Sequence, residues 1–312
     1  MSSPSGAISD QRSAVAHRAG FVTIVGRPNV GKSTLLNALL GQKVAIVSPR
    51  PQTTRTRVVG IKHLSEAQIV FVDTPGLHSP RGKLGELMAK TVERALEAVD
   101  GVLFVAEATE DPLALDEKPL APLKGLTCPV FLCLNKADLV KERARLLPLL
   151  EAYGSRYPFR ELIPISSTEG TNLARLLERL VALLPASPPY YPKESLTDQP
   201  ETFFIAELIR EQLFHLTFQE IPYACAVQVQ DAQDREGGML YIQASIFVEQ
   251  ESQKAIVIGQ GGKMLKKIGQ QARQALEAFF GVKVYLDLWV HVRRNWRRDD
   301  RALREFGFML TS

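Results

Sequence analysis

Lys32 and Ser33 close the stretch Gly26-Arg27-Pro28-Asn29-Val30-Gly31-Lys32-Ser33, which fits the pattern G-x-x-x-x-G-K-[ST]. Its two glycines let the chain curl so that successive N–H groups point inward at a polyphosphate. A helix starting at Ser33-Thr34 would add the partial positive charge of its N-terminus. Lys32 would then meet the β- and γ-phosphates as a point charge, and the Ser33 hydroxyl would ligate Mg²⁺. Gly26 to Thr34 are therefore read as a phosphate site.

Three further stretches sharpen that chemistry. Asp73-Thr74-Pro75-Gly76 fits D-x-x-G, in which Asp73 would hold Mg²⁺ through water and the Gly76 amide would donate to a γ-phosphate. In Gln52-Thr53-Thr54-Arg55, Thr54 is a candidate second Mg²⁺ ligand that senses the γ-phosphate, with Thr53 as the alternative. Asn135-Lys136-Ala137-Asp138 discriminates between purines. The Asp138 carboxylate can accept from guanine N1–H and the 2-amino group together. Adenine offers neither donor, and a buried carboxylate left unpaired discriminates by about 10⁴ or more. Asn135 would tie the base loop to the phosphate loop, the Lys136 stem would lie over the ring, and Ser166 and Ser167 would support the guanine O6 and Asp138. The phosphate loop, D-x-x-G and Asn-Lys-Ala-Asp, in this order, point to GTP.

The residue that follows D-x-x-G is Leu77, where small GTPases of the Ras type carry a water-orienting glutamine. Hydrolysis is then slow, or another group or a partner positions the water. Asn29 is one candidate, holding a monovalent cation against the phosphates; the alternative is that it only stabilises the loop turn. Lys32, Thr54, Gly76 and Asn29 are the candidate catalytic set.

Each motif needs a strand to deliver it. Short β-branched runs at 21–25, 68–72, 101–105, 129–134 and 162–165 alternate with helical spacing at 33–40, 83–98 and 172–184. This pattern predicts an α/β fold, a P-loop NTPase with a doubly wound, mostly parallel sheet. Such sheets bind ligands at the carboxyl ends of their strands, where these motifs fall. Residues 42–57 form a long loop without periodicity, which is expected to be functional. The proline-rich residues 186–200 read as a semi-rigid linker between a GTPase domain at 20–185 and a smaller α+β domain at 201–312.

In that second domain a helix at 202–214, strands at 224–230, 239–248 and 282–292, and a third strand-like run at 254–258 are expected. The run at 254–258 enters Gly259-Gln260-Gly261-Gly262, which fits the G-x-x-G loop of KH domains, a clamp for about four nucleotides of RNA backbone. Lys263, Lys266, Lys267 and Arg273 on the following helix would meet phosphates, and Ile256, Val257, Ile258, Leu265 and Ile268 would line a groove for unstacked bases. Arg293, Arg294, Trp296, Arg297 and Arg298 would add charge and one stacking surface.

Composition bounds these readings. The 312 residues suffice for two domains, and 45% hydrophobic with 23% charged residues is ordinary for a soluble globular chain. Three cysteines without C-x-x-C spacing, and His63, His78, His215 and His291 without a constellation, exclude a disulfide framework or zinc site and fit a reducing cytoplasm. No apolar run approaches the roughly 18 residues of a membrane span. Residues 1–19 read as a disordered leader: they lack an apolar core for a secretory signal, and Asp10 and their shortness argue against a transit peptide despite Arg12 and Arg18. The net charge of +4 hides a polarity, since residues 201–253 hold two Lys/Arg against nine Asp/Glu and residues 254–312 hold twelve against five. The second domain therefore has a basic face to place.

Together, Gly-Arg-Pro-Asn-Val-Gly-Lys-Ser, Gln-Thr-Thr-Arg, Asp-Thr-Pro-Gly-Leu, Asn-Lys-Ala-Asp and the later Val-Ile-Gly-Gln-Gly-Gly-Lys resemble the Era GTPases over residues 20–308. The resemblance implies a TrmE–Era–EngA type GTPase domain joined to a type II KH domain. It also implies binding near the 3′ end of 16S ribosomal RNA in 30S subunit assembly, and peripheral contact with the inner face of the cell membrane. A hydrophobic residue at Leu77 is normal for the family, and relatives with an asparagine matching Asn29 use K⁺. Ser167 departs from the usual alanine, and Gln260-Gly261 from the usual Asn-Lys, which removes a lysine from the loop tip. A monomer is expected. The competing reading is a signalling or membrane-trafficking GTPase whose second domain binds protein; it predicts little salt dependence of partner binding, where phosphate contacts predict a steep one.

Overall fold

The computed structural model describes residues 17–77, 80, 82–235 and 237–308. Residues 1–16 of the leader expected at 1–19, and His78, lie outside the described residues. The first sheet is built from β1 (Arg18–Gly26), β2 (Val58–His63), β3 (Ala67–Asp73), β4 (Gly101–Glu107), β5 (Val130–Asn135) and β6 (Glu161–Pro164). They lie in the order β2-β3-β1-β4-β5-β6. Only β2 runs antiparallel to its neighbour; the other pairings are parallel.

β1, β3, β4 and β5 are buried almost throughout, as strands covered on both faces must be. One face carries α1 (Lys32–Leu40) and α4 (Leu173–Leu183) through Leu35, Leu39, Leu176 and Leu180. The other carries α2 (Gly82–Ala95) and α3 (Leu146–Gly154) through Val92, Leu149 and Tyr153. This is the doubly wound arrangement. The loop at 42–57 contains no helix or strand. β1 starts at Arg18, whose amide donates to Glu66 O, so residues 18 and 19 belong to the sheet and not to a leader.

The expected linker is fastened down. Ile61 N donates to Leu196 O along the outer side of β2, and the His63 ring nitrogen lies 2.8 Å from Ser195 O. Gln68 Oε1 accepts from the amides of Tyr190 and Tyr191, and the Tyr190 ring stacks on Phe21.

The second unit contains α5 (Glu201–Leu216), the short α6 (Ile221–Ala224), β7 (Ala226–Arg235), β8 (Met239–Val248), α7 (Glu251–Ile258), α8 (Lys263–Phe280), β9 (Lys283–Val292) and α9 (Asp300–Glu305). β7 and β8 pair antiparallel, and β9 joins β8 in parallel as an edge strand. Helices α5, α7 and α8 cover one face of this sheet.

The run at 254–258 is not a strand but the end of α7. Its four apolar residues suggest a buried strand, yet Gln250 and Gln253 form a reciprocal capping box at the helix start. Gln253 and Val257, four residues apart, are the buried positions while Ile256 is 49% exposed. The period is therefore helical. No helix among the described residues is long and apolar enough to cross a membrane.

Candidate active site

The phosphate loop is the turn between β1 and α1. Asn29 and Gly31 adopt left-handed backbone, with φ of 65° and 94°. A Cβ at Gly31 would stand 2.3 Å from Asn135 Nδ2, and one at Gly76 2.8 Å from the Pro28 nitrogen. Three of the predicted stretches are thus packed too closely for side chains at these glycines. Helix α1 starts with no side-chain cap and no acidic residue in its first turn, which leaves its first amides to an anion. A cleft of about 330 Å³ faces it, lined by Asn29, Lys32, Ser33, Thr34, Thr54, Gly76 and Lys136 among others.

Asp73 ends β3 and is fully buried. Ser33 Oγ donates to Asp73 Oδ2 at 2.6 Å, and Thr54 Oγ1 lies 2.9 Å from Ser33 Oγ and 3.5 Å from Asp73 Oδ2. The three expected metal ligands are therefore gathered. Among the described residues Asp73 Oδ1 has no hydrogen-bond partner. A buried carboxylate with an orphaned oxygen beside two hydroxyls is a donor set that fits a hard divalent cation such as Mg²⁺. Thr53 is directed elsewhere, donating to Arg50 O. Burial pushes the Asp73 carboxyl above its usual range, against the opposing pull of Lys32. Burial likewise lowers the Lys32 ammonium to about 8, with Asp73 raising it. Lys32 Nζ donates to Arg27 O, at the other end of the loop.

Around these, Thr74 Oγ1 donates to Ile24 O and Pro75 is buried. The Leu77 amide donates to Gly26 O while its side chain packs against the β4–α3 core. Leu77 thus presents no polar atom to the cleft. Asn29 is exposed, and its Nδ2 donates to Pro49 O in the long loop at 3.1 Å. Arg27 reaches toward Glu110 at 3.8 Å.

At the base end, Asn135 closes β5 and does what its position predicts. Its Nδ2 donates to Val30 O at 2.9 Å, and its Oδ1 accepts from Ser167 N and Ser167 Oγ. Lys136 takes a left-handed conformation and its Nζ bonds Glu107 Oε2 at 2.7 Å. The Ala137 amide donates to Ile165 O. Asp138 is exposed, so only a base seated on this loop would desolvate it. The expected support of Asp138 by Ser166 and Ser167 is not found. Ser167 is consumed by Asn135, and Ser166 Oγ turns into its own turn beside Thr168.

Several residues holding the site carry no motif. Arg55 is buried and donates to the carbonyls of Cys225, Pro222 and Tyr223, across to the second unit. Arg210 donates to Thr53 O, Glu211 Oε1 accepts from Val47 N, and Glu211 Oε2 pairs with Lys43 at 2.6 Å. Arg50 donates to Thr217 O and lies over Phe218. Leu84 and Met88 of α2 pack with Trp296 and Leu303, and Lys83 pairs with Asp300. The long loop at 42–57 and the start of α2 are thus held by α5, α6 and the C-terminal segment. The sequence signal was slight: Arg55 ends the Thr-Thr-Arg stretch, and Arg210 and Glu211 are charges inside an apolar helix.

In the second unit, Gly259, Gln260, Gly261 and Gly262 join α7 to α8, and Gly259, Gly261 and Gly262 have φ of 72°, 59° and 77°. Lys263, Lys266, Lys267 and Arg273 are all exposed on α8, with Arg273 3.5 Å from Glu277. Two expectations need correction. Val257 and Ile268 are fully buried in the core, so only Ile256, Ile258 and Leu265 remain to line a groove. Trp296 has 0% exposure and donates to Ala224 O, so it is not a stacking surface. The tail is partly neutralised too, with Arg293 paired to Glu305 and Arg297 to Glu249.

Comparison with known proteins agrees with this geometry. The family described as 50S ribosome-binding GTPase matches residues 21–136, and the KH domain family matches 220–297. GTPase Era of Heliobacterium modesticaldum is 47% identical over 93% of this chain and 97% of its own. That of Geobacter metallireducens is 49% identical over 93% and 98%. A crystal structure of Era with MgGDPNP and nucleotides 1506–1542 of 16S ribosomal RNA superposes with a TM-score of 0.90 at 41% identity, covering 94% of this chain and 100% of that one. An Aquifex aeolicus Era variant bound to GDP·AlF₄⁻ matches with the same TM-score, identity and coverage. With relatives this similar over nearly the whole length of both chains, the guanine loop, the phosphate loop and the G-x-x-G module are parts of one known design: the chain belongs to the Era family of GTPases.

Proposed function

We propose that this GTPase binds 16S ribosomal RNA near its 3′ end through the KH module and uses GTP hydrolysis to time its release during assembly of the 30S subunit. The observation that carries the reading is the attachment of the Thr54 loop to α5 and α6. A loop that touches the phosphate cleft on one side and the RNA-binding unit on the other gives each ligand a hold on the other's equilibrium. The RNA in the relative's complex spans nucleotides 1506–1542 of the same ribosomal RNA.

In this reading the first amides of α1 and Lys32 hold the β- and γ-phosphates, and the Gly76 amide meets the γ-phosphate. Ser33, Thr54 and Asp73 hold Mg²⁺, which neutralises charge developing on the phosphate oxygens. Asn135 fixes the base loop so that Asp138 meets guanine. Leu77 leaves water positioning to other groups. The Asn29 carboxamide, brought beside the Pro49 carbonyl, would bind K⁺ against the phosphates. GTP hydrolysis is accordingly expected to be faster in KCl than in NaCl, by about tenfold or more if the ion does an arginine finger's electrostatic work, and the difference is expected to vanish in Asn29→Ala. Steady-state phosphate release in the two salts measures this; equal wild-type rates would remove the K⁺ site. Three free thiols, two of them buried, suit a reducing cytoplasm, where the protein would act as a monomer with membrane contact at most peripheral.

The deciding experiment is equilibrium binding of an RNA copying the 3′ end of 16S ribosomal RNA to protein loaded with GDPNP or GDP. Tighter binding in the GDPNP state, with log K falling steeply against log salt, is expected. Absence of binding, or equal affinity in both states, would sink the proposal.

A further inference from the structure

The sheet of the second unit has a face that the helices do not cover. On it lie Met239, Tyr241, Gln243, Ser245 and Phe247 of β8, opposite Lys283, Tyr285, Asp287, Trp289 and His291 of β9. The alternate residues Ile242, Ala244 and Ile246 point into the core, as the period of two requires. One end of the outer face is capped, because Phe306 packs on Phe247 with centroids 4.9 Å apart. The other end is open: Tyr285 is 56% and Trp289 53% exposed.

These rings are not scattered apolar residues. Arg235 lies 3.8 Å above the centroid of Tyr241. The Tyr241 and Tyr285 rings are stacked, 5.5 Å apart and within 10° of parallel. The stack runs across the strands and ends at Tyr285 on β9, an edge strand. The Trp289 indole is steadied by a bond from Nε1 to Asp287 Oδ2 at 3.1 Å.

The same strand borders the helices that carry the G-x-x-G loop. Gly269 of α8 sits against Leu288 on the inner side of β9. A chain leaving the groove therefore has to round only one strand to reach the outer rings.

We infer that Trp289 and the Arg235–Tyr241–Tyr285 stack form a second binding surface, which takes unpaired bases of RNA running out of the G-x-x-G groove round the edge of β9. The chemistry fits a base: a flat π-surface that extends a stack ending in an open ring, with the Lys283 ammonium on the same strand. Asp287, and Asp231 of β7 opposite Gln243, keep the face from being strongly basic, so stacking rather than phosphate attraction supplies the affinity. One G-x-x-G loop clamps about four nucleotides, so a longer RNA has bases to spare. The inference rests on the RNA reading above.

The test uses the full chain loaded with GDPNP and two unpaired RNAs. One, of about four nucleotides, fills the groove; the other carries that segment with about six further unpaired nucleotides at each end. The paired substitution Tyr285→Ala and Trp289→Ala is expected to weaken the long RNA by about tenfold per ring lost, within the range for base–aromatic stacking, and to leave the short RNA unchanged. Trp289→Phe, which keeps a ring, should retain most of the long-RNA affinity.

The wild-type protein supplies an independent readout. It has two tryptophans, and Trp296 is fully buried while Trp289 is exposed. Long RNA should therefore quench tryptophan emission and short RNA should not. Unquenched emission with the long RNA bound overturns the inference, and it decides the matter even if the double variant misfolds. So does wild-type long-RNA affinity in a folded double variant, the result expected if the face docks a protein. Failure of the wild type to bind either RNA would instead count against the RNA reading itself.

Discussion

Replacing Asp138 by asparagine is expected to lower GTP affinity by about 10³-fold or more and to make xanthosine triphosphate the better ligand. Guanine turns two donors, N1–H and the 2-amino group, toward this position, and a carboxylate accepts both. An asparagine amide can accept only one and points its own NH₂ at the other donor. Xanthine carries a carbonyl oxygen at C2, which that NH₂ can meet. The substitution is nearly isosteric, and Asp138 is exposed. The loop around it is fixed by backbone and by Asn135, so the fold should be unaffected. Competition of the two triphosphates against a fluorescent guanine nucleotide checks the prediction. An unchanged preference for GTP would mean that base recognition lies elsewhere.

The second large effect concerns Arg55. Its guanidinium donates to three carbonyls at the end of α6 and lies 5.8 Å from the centre of the Phe214 ring. Arg55→Ala strips partners from buried acceptors, so a loss of about 3 kcal/mol in unfolding free energy is expected. Arg55→Lys should recover little, because one ammonium cannot reproduce a planar fork across three acceptors. The neighbouring Arg57→Ala removes an exposed pair with Asp198 and should cost well under about 1 kcal/mol. Denaturant midpoints give these values. The informative measurement is RNA affinity with GDPNP against GDP, whose ratio should fall toward one in Arg55→Ala and stay at the wild-type value in Arg57→Ala. If Arg55→Ala kept the full ratio, the contacts between the long loop and α6 would be packing without a role in coupling.

The nucleotide site was legible because local sequence determines it. Gly31 and Lys32 sit where the turn meets α1, Asp73 and Asn135 where a strand meets a turn, and the turn's geometry restricts which residue can stand there. Asn135 even has the partner its position implied, Val30 O. The second unit was less legible for equally physical reasons. Trp296 sits among arginines in a polar stretch, and only the arrival of Leu84, Met88 and Phe306 makes its place an interior. The apolar run before Gly259 has strand-like composition, and the residue that decides for a helix is Gln250, outside the run. Arg55 and Arg210 meet partners more than 150 residues away, a distance at which no spacing rule operates. Lys43 and Glu211 are ordinary surface-type charges until α5 crosses the long loop.

The fastened segment along β2 has a further consequence. Its last backbone bond to the first sheet is made by Leu196, followed only by the exposed Arg57–Asp198 pair, and α5 begins at Glu201. Only residues 197–200 span the gap, and four residues reach about 14 Å at full extension. So short a tether sets the effective concentration of one unit around the other in the millimolar range or above. If the Arg55 contacts open, the two units remain within reach, and reclosure is an intramolecular step independent of protein concentration. Lengthening residues 197–200 with a flexible glycine–serine insert should therefore weaken communication between nucleotide and RNA progressively, as the effective concentration falls with tether length, with no contact in either site altered.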